Sequence, residues 1–259
     1  MVANADLGAS ISKWIKQYAK SNDIDSLIIG VSGGIDSAVT STLCAMTGLQ
    51  TIVINMPINQ NDGQFDLSKK HIEWLKSNWP NVRGEMVDLT STYEDFTQEA
   101  VGHLEISPIA LANTRARLRM TTLYAISASN NGIVVGTGNK VEDFGVGFYT
   151  KYGDGGVDIS PIADLLKSEV YGLANRLNII QEIRDAQPTD GLWDDGRTDS
   201  DQIGATYDEL EWAMKQHQSD KLGALTKRQE EIMEIYLKFN RMNSHKMNPI
   251  PIFKKDENC

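Results

Sequence analysis

The stretch Gly-Val-Ser-Gly-Gly-Ile-Asp-Ser at residues 30–37 constrains the fold of this chain more than any other segment. It overlaps the end of an apolar run at residues 26–31, which is typical of a buried strand in a parallel sheet, and a helix is predicted at 36–46. Glycines let the backbone turn sharply and approach a ligand closely. A helix N-terminus offers free amides and the positive end of a dipole. The stretch therefore predicts a strand, loop and helix that together bind an anion.

The side chains of this loop indicate a metal-assisted phosphate site. Ser32 and Ser37 are hydroxyl donors, and a carboxylate at Asp36 suits a phosphate site when it holds Mg²⁺. The loop is not a Walker A motif, because no lysine occurs between Lys20 and Lys69. Its glycine spacing also differs from that of the dinucleotide-binding fingerprint. The alternative is a tight turn, capped by a serine or an aspartate, that binds nothing.

The rest of the chain alternates between strand and helix patterns. Strands are predicted at residues 26–31, 51–56, 84–89 and 133–135. Helices are predicted at residues 7–18, 36–46, 66–77, 107–129, 201–216 and 226–242. This alternation predicts an α/β fold, with a parallel β-sheet flanked by helices on both faces. We expect one domain over residues 1–259, with active-site loops at 144–156 and 187–200.

Composition excludes several classes of protein. The net charge of −10 disfavours a nucleic-acid partner, because phosphate contacts dominate that affinity. The two cysteines, Cys44 and Cys259, have no paired spacing, which favours a reducing compartment. We see no signal peptide and no apolar stretch approaching the roughly 18 residues of a membrane span. A soluble, cytoplasmic protein is expected.

Residues 32–37 resemble the pyrophosphate loop of the N-type ATP pyrophosphatases, which have an adenine nucleotide alpha hydrolase-like fold of the Rossmann type. Members cleave ATP between the α and β phosphates and adenylylate an oxygen of the substrate. Four further segments resemble NAD synthetases: Asn-Thr-Arg-Ala-Arg-Leu-Arg-Met at 113–120, Gly-Thr-Gly-Asn-Lys-Val-Glu at 136–142, Thr-Lys-Tyr-Gly-Asp-Gly at 150–155 and His-Lys at 245–246. Their order along the chain identifies it as a member of that family.

The resemblance implies roles for particular residues. ATP would be bound by Gly30, Val31, Ser32, Gly33, Gly34, Ile35, Asp36, Ser37, Thr137, Lys167 and Thr189. The substrate would be bound by Arg117, Lys151, Asp158, His245 and Lys246. Asp36 and Glu142 would hold Mg²⁺. Asp36, Lys167 and Asp154 would be catalytic, although Asp154 could equally be a turn former beside glycine.

Helical geometry tests one of these roles. Arg115 and Arg119 are four residues apart and share a helix face, whereas Arg117 points nearly opposite. The three arginines therefore cannot all face one ligand. The family motif favours Arg117 as the substrate ligand, and we assign Arg115 and Arg119 to a solvated or interface face.

The family further implies a reaction and its partners. The carboxylate of nicotinic acid adenine dinucleotide (deamido-NAD) would react with ATP, and ammonia would displace AMP from the acyl adenylate. We expect no glutamine amidase domain. We expect the chain to form a homodimer. Alternatives are amidation of nicotinic acid mononucleotide, a tRNA-modifying enzyme of the same superfamily, and a non-catalytic nucleotide-binding regulator.

Overall fold

A four-stranded parallel sheet forms the centre of the molecule. The structure is a computed structural model, and it describes residues 7–59, 62–188, 198–219 and 224–255. The strands are β1 (Ser26–Gly30), β2 (Gln50–Asn55), β3 (Val82–Met86) and β4 (Gly132–Val134), arranged in the order β3-β2-β1-β4. Beyond β4, Val135 forms an isolated parallel bridge with Ile159.

The strand order places a crevice between β1 and β4. The chain proceeds from β1 through β2 to β3 in one direction, and then returns to place β4 on the other side of β1. At such a switch point the loops that follow the two central strands diverge, and a ligand crevice opens at their carboxyl ends. The segments after β1 and β4 are the glycine loop and the Gly-Thr-Gly-Asn segment identified in the sequence.

Helices cover both faces of the sheet. They are α1 (Leu7–Ser21), α2 (Ile35–Met46), α3 (Asp62–Asn78), α4 (Thr90–Asp95), α5 (Pro108–Ser129), α6 (Lys167–Arg176), α7 (Gln181–Asp185), α8 (Asp199–Ile203), α9 (Tyr207–His217) and α10 (Lys227–Met247), with wider π-helical turns at Phe96–Ala100 and Val141–Val146. Within the described ranges, no helix has the length and apolar character needed to cross a bilayer.

Alternation along β1 generates two separate apolar layers. Leu27 and Ile29 pack with α1, α2 and α6 on one face, whereas Ile28 packs with α4 and α5 on the other, because successive side chains of a strand point to opposite faces. A third cluster joins the turn Val141–Val146 to α9 and α10. The predicted α/β architecture with helices on both faces is confirmed.

Two element predictions were wrong in detail, and some helices were not predicted at all. The third strand, predicted at 84–89, lies at Val82–Met86 and is a partly exposed edge strand, so an apolar run located it poorly. The helix predicted at 201–216 is two helices, because Gly204 adopts a left-handed φ of 83° and Thr206 caps a new helix. Helices α4, α6 and α7 were not predicted.

The buried His71 generates a prediction about stability. Its side chain is fully buried in α3, with Nε2 2.9 Å from Ser41 Oγ, and burial lowers its pKa from 6.5 to about 4. Between these values the unfolded chain binds more protons than the folded chain, so the free energy of unfolding falls as pH drops from 6.5 towards 4. We expect His71→Gln to show a smaller fall between pH 7 and pH 5 in urea unfolding. A fall equal to that of the unsubstituted chain would contradict this.

Candidate active site

A cavity of about 640 Å³ lies at the carboxyl ends of β1, β2 and β4. It is lined by all eight residues of the predicted loop: Gly30, Val31, Ser32, Gly33, Gly34, Ile35, Asp36 and Ser37. Five more of the predicted site residues also line it: Thr137, Glu142, Asp154, Lys167 and Lys246. The fold thus brings residues from five separate sequence segments to one cavity.

The glycine loop is held by its own serines. Ser37 Oγ donates a hydrogen bond to the carbonyl of Gly34 (2.9 Å), and the amide of Gly34 donates to Ser32 Oγ (3.2 Å). Gly33 has a φ of 91°, a conformation that side chains beyond glycine rarely adopt. The turn is therefore fixed, and it presents the N-terminus of α2 to the cavity, as anion binding requires.

A buried ion triad forms the charged centre of the cavity. Lys167 Nζ lies 2.5 Å from Asp36 Oδ2 and 2.9 Å from Glu142 Oε1. The Lys167 side chain is only 4% exposed, and the carboxylates are 16% and 17% exposed. Burial alone would lower the pKa of Lys167, but the two carboxylates outweigh it and raise that pKa. The lysine is therefore a permanent cation shared by two carboxylates.

Asn139 holds the Asp36 carboxylate and the backbone of the turn that carries Glu142, and it was not among the predicted site residues. Its Nδ2 donates to Asp36 Oδ1 (3.1 Å), and its Oδ1 accepts hydrogen bonds from the backbone amides of Val141 and Glu142 (both 3.1 Å). The side chain is fully buried. An asparagine directly before a helical turn commonly makes such local bonds. The bonds to the amides of Val141 and Glu142 could therefore have been predicted from the sequence.

Tyr207 supports the centre from α9. Its hydroxyl oxygen lies 2.7 Å from Asp199 Oδ2 and within hydrogen-bond distance of Glu142 Oε1, so its single proton is shared between these two acceptors, and Lys167 Nζ lies 4.6 Å from the centre of its ring. The aromatic face attracts the ammonium. No local sequence pattern could have revealed this, because 65 residues separate Tyr207 from Glu142.

The pair Asp36 and Glu142 fits a Mg²⁺ site. Oxygens from both carboxylates converge on one cationic group, the ammonium of Lys167. Mg²⁺ is usually bound by one or two carboxylates, with substrate phosphates and water as the other ligands. The adjacent glycine loop is where such phosphates would be bound.

A side pocket of about 180 Å³ adjoins the cavity near Asp143, Asp154 and Lys246. Asp154 accepts a hydrogen bond from the amide of Thr150 (3.0 Å), so it forms a turn and lines the cavity at once. Lys246 Nζ donates to the carbonyls of Gly147 (2.5 Å) and Tyr149 (2.7 Å). Burial raises the pKa of both aspartates.

Four of the predicted substrate ligands do not line this cavity. Arg117 is exposed, and its Nε donates to the carbonyl of Lys151 (3.3 Å), whose Nζ donates to the carbonyl of His245 (3.2 Å). These three residues form one surface cluster. Asp158 accepts hydrogen bonds from Tyr124 Oη (2.9 Å) and from the amide of Val134 (2.7 Å). Thr189 lies outside the described residues.

Comparison with known proteins identifies the family. The family model for NAD synthase matches residues 7–250. The chain belongs to the NAD synthase family. It is 35% identical to the NH3-dependent NAD+ synthetase of Finegoldia magna over 80% of this chain and 83% of that protein. It is 32% identical to the NH3-dependent NAD+ synthetase of Sulfurisphaera tokodaii over 94% of this chain and 87% of that protein.

A solved structure agrees with this membership. The structure of NMN synthetase from Francisella tularensis superimposes with a TM-score of 0.85 and 29% identity, covering 99% of this chain and 100% of that chain. Members of the NAD synthase family are ligases that form carbon–nitrogen bonds, and this chain is such an enzyme.

Removal of the Tyr207 hydroxyl tests its supporting role. We expect Tyr207→Phe to lower the rate of ATP-dependent pyrophosphate release by about tenfold, because a buried hydrogen bond to a charged group contributes about 1.5–3 kcal/mol. Tyr236→Phe is the matched control, since Tyr236 is a buried tyrosine of the neighbouring cluster outside the cavity lining. Equal rates for the two variants would contradict the role.

Proposed function

We propose that this member of the NAD synthase family amidates nicotinic acid adenine dinucleotide with ammonia, and that ATP is converted to AMP and pyrophosphate. The observation that carries the proposal is the triad of Lys167, Asp36 and Glu142 facing the glycine loop within one cavity. Nucleotide binding alone does not require such a cation with two carboxylates. The relatives from Finegoldia magna and Sulfurisphaera tokodaii carry the name of this activity.

The first half of the reaction is adenylylation. An oxygen of the nicotinate carboxylate attacks the α-phosphorus of ATP, the bond to the bridging oxygen breaks, and pyrophosphate leaves with that electron pair. The loop amides and the N-terminus of α2 bind the phosphates, and Lys167 stabilises negative charge beside them. Phosphoryl transfer depends on positioning and charge stabilisation more than on a covalent nucleophile.

The second half forms the amide. Ammonia attacks the acyl carbon of the adenylate, AMP leaves with the carboxyl oxygen, and the nitrogen loses one proton. The adenylate must be shielded from water during this step. Gly147, Phe148, Tyr149 and Thr150 line the cavity, so the segment 144–156 supplies part of that shield.

Asp36 and Glu142 are the residues that would hold Mg²⁺. When bound, the metal neutralises charge on the phosphates and orients them. Thr137 and Thr189 would contact ATP, and Asp154 would act on the reacting groups from the side pocket. Lys246, Arg117, Lys151, Asp158 and His245 would bind the pyridine nucleotide. The buried thiol of Cys44 suits a reducing cytoplasm.

Nicotinic acid mononucleotide is the second candidate substrate. The observation in its favour is the likeness to NMN synthetase from Francisella tularensis, which extends over nearly the whole of both chains. The chemistry of the amidation is the same with either nucleotide, and only the part of the substrate beyond the first phosphate differs.

A turnover assay with the two nucleotides run separately tests the function. ATP, Mg²⁺ and ammonium are supplied with each nucleotide, and AMP, pyrophosphate and the amidated product are measured. We expect product from the dinucleotide, and we expect Asp36→Asn to lower the rate by about 100-fold or more, because it removes one charge from a buried ion triad. Asp208→Asn, an exposed aspartate of α9, is the matched control.

Each outcome of this assay has a distinct meaning. If the mononucleotide is preferred, the proposed mechanism stands and nicotinic acid mononucleotide becomes the assigned substrate. Pyrophosphate release with neither nucleotide would contradict the proposed function. An Asp36→Asn variant as active as Asp208→Asn would contradict the assigned role of the triad.

We also propose a homodimer. Arg117, Lys151 and His245 form an exposed cluster outside the cavity of one chain, and a second copy would enclose them beside a bound substrate. Large apolar side chains lie exposed at the C-terminal end, where Ile252 and Phe253 are 81% and 91% exposed. Such exposure is typical of an interaction surface.

Light scattering coupled to size-exclusion chromatography measures this association. We expect twice the chain mass for the unsubstituted protein. A charge placed at an apolar interface favours dissociation, so Phe253→Asp is expected to shift the population towards the chain mass. A monomer at all concentrations for the unsubstituted chain would contradict the dimer.

A further inference from the structure

Arg119 reaches the active-site cavity from the helix face opposite Arg117. Its Nε donates a hydrogen bond to the carbonyl of Met56 (2.9 Å), directly beyond the carboxyl end of β2. Arg119 lines the cavity and Arg117 does not. The prediction of a solvated or interface face for Arg119 was wrong.

The cations that line the cavity differ in how far the protein already satisfies them. In the part of the chain that the structure describes, these cations are Lys167, Lys246 and Arg119. Lys167 is bound by two carboxylates, and Lys246 by two carbonyls and an aromatic ring. Arg119 has one carbonyl partner through Nε, and its two terminal amino groups have no hydrogen-bond acceptor among the described residues.

The surroundings of Arg119 make this incomplete satisfaction costly. Burial, followed by the nearby positive charge of Arg115, lowers its pKa to about 10, with Asp154 opposing the shift. No described carboxylate lies within ion-pair distance of the guanidinium. A buried charge without an ionic partner is unfavourable, and a bound anion would relieve that cost.

We infer that Arg119 binds an oxyanion of a substrate in this cavity through the two terminal amino groups of its guanidinium. A planar guanidinium matches the geometry of phosphate and carboxylate, and it binds either through two parallel hydrogen bonds. The anchoring bond to Met56 leaves those groups available. Because β2 neighbours β1, the guanidinium enters the cavity beside the glycine loop that binds phosphate.

The inference deepens the proposed function, and it leaves two sources for the oxyanion. One is a phosphate of ATP, and the other is the carboxylate or phosphate of the pyridine nucleotide. Both have the same chemistry of recognition. Equilibrium binding of each nucleotide alone, without the other substrate, distinguishes them and is independent of turnover.

The experiment is isothermal titration of Mg·ATP, and separately of nicotinic acid adenine dinucleotide, into the full chain and its variants. We expect Arg119→Gln to weaken one of the two affinities by about tenfold or more, because hydrogen bonds to charged groups are lost. Arg83→Gln is the matched control, since Arg83 lies on the edge strand β3 and pairs with Glu85. The nucleotide whose affinity falls is the one that Arg119 binds.

Unchanged affinity for both nucleotides, at a thermal midpoint near that of the control, would overturn the inference. If Arg119→Gln unfolds because the hydrogen bond to the carbonyl of Met56 is lost, the test is made on the unsubstituted chain instead. An arginine-directed dicarbonyl reagent is applied, and modification of Arg119 is followed by peptide mass spectrometry. Protection by ATP or by the pyridine nucleotide supports the inference, and equal modification with and without both nucleotides overturns it.

Failure of the inference is distinct from failure of the proposed function. If the unsubstituted chain makes no amide while Arg119→Gln loses affinity for a nucleotide, the inference stands and the function falls. If the chain makes the amide and Arg119→Gln binds and turns over normally, the function stands and the inference falls.

Discussion

The shared contact of Lys167 with Asp36 and Glu142 is the interaction on which the rest of the site depends. Burying any one of these charges alone would be costly, and the favourable pairing exists only when all three are present in good geometry. That geometry requires α6 to begin at Lys167, α2 to follow the glycine loop, and the turn Val141–Val146 to follow β4. The switch in strand order between β1 and β4 is what brings these three elements together.

An acidic protein with a net charge of −10 must bind anionic nucleotides here. On the proposed function it would do so with local groups, because screening by salt confines charge effects to about 8–10 Å. The amides of the glycine loop, the dipole of α2 and the cavity cations are local positive groups, and they lie beside several carboxylates of the same lining. Asn139 and Tyr207 keep the carboxylates of the centre oriented without adding charge.

The sequence predicted the parts of this site that are local. The glycine loop, its flanking strand and helix, and the residues of the family motifs could be identified from short strings, and the structure places the loop as expected. Contacts across long separations could not be read in this way, and Tyr207 is the clearest example. The prediction of a solvated or interface face for Arg119 failed for a different reason. Periodicity correctly put them on opposite faces, but the face that meets the cavity is set by the stripe of Ala112, Ala116 and Leu123, which flanks Arg119.

The separation of the triad along the chain affects how the protein is made. Asp36 precedes Lys167 by 131 residues, and Glu142 precedes it by 25. A chain emerging from the ribosome at about 5–20 residues per second completes all four strands before α6 exists, so Asp36 waits on the order of ten seconds for the shared cation and Glu142 only about one to five seconds. Until α6 is made, Asp36 and Glu142 lack the lysine that pairs with them in the folded chain. The ion triad can therefore form only after α6 has been synthesised, late in the production of the chain.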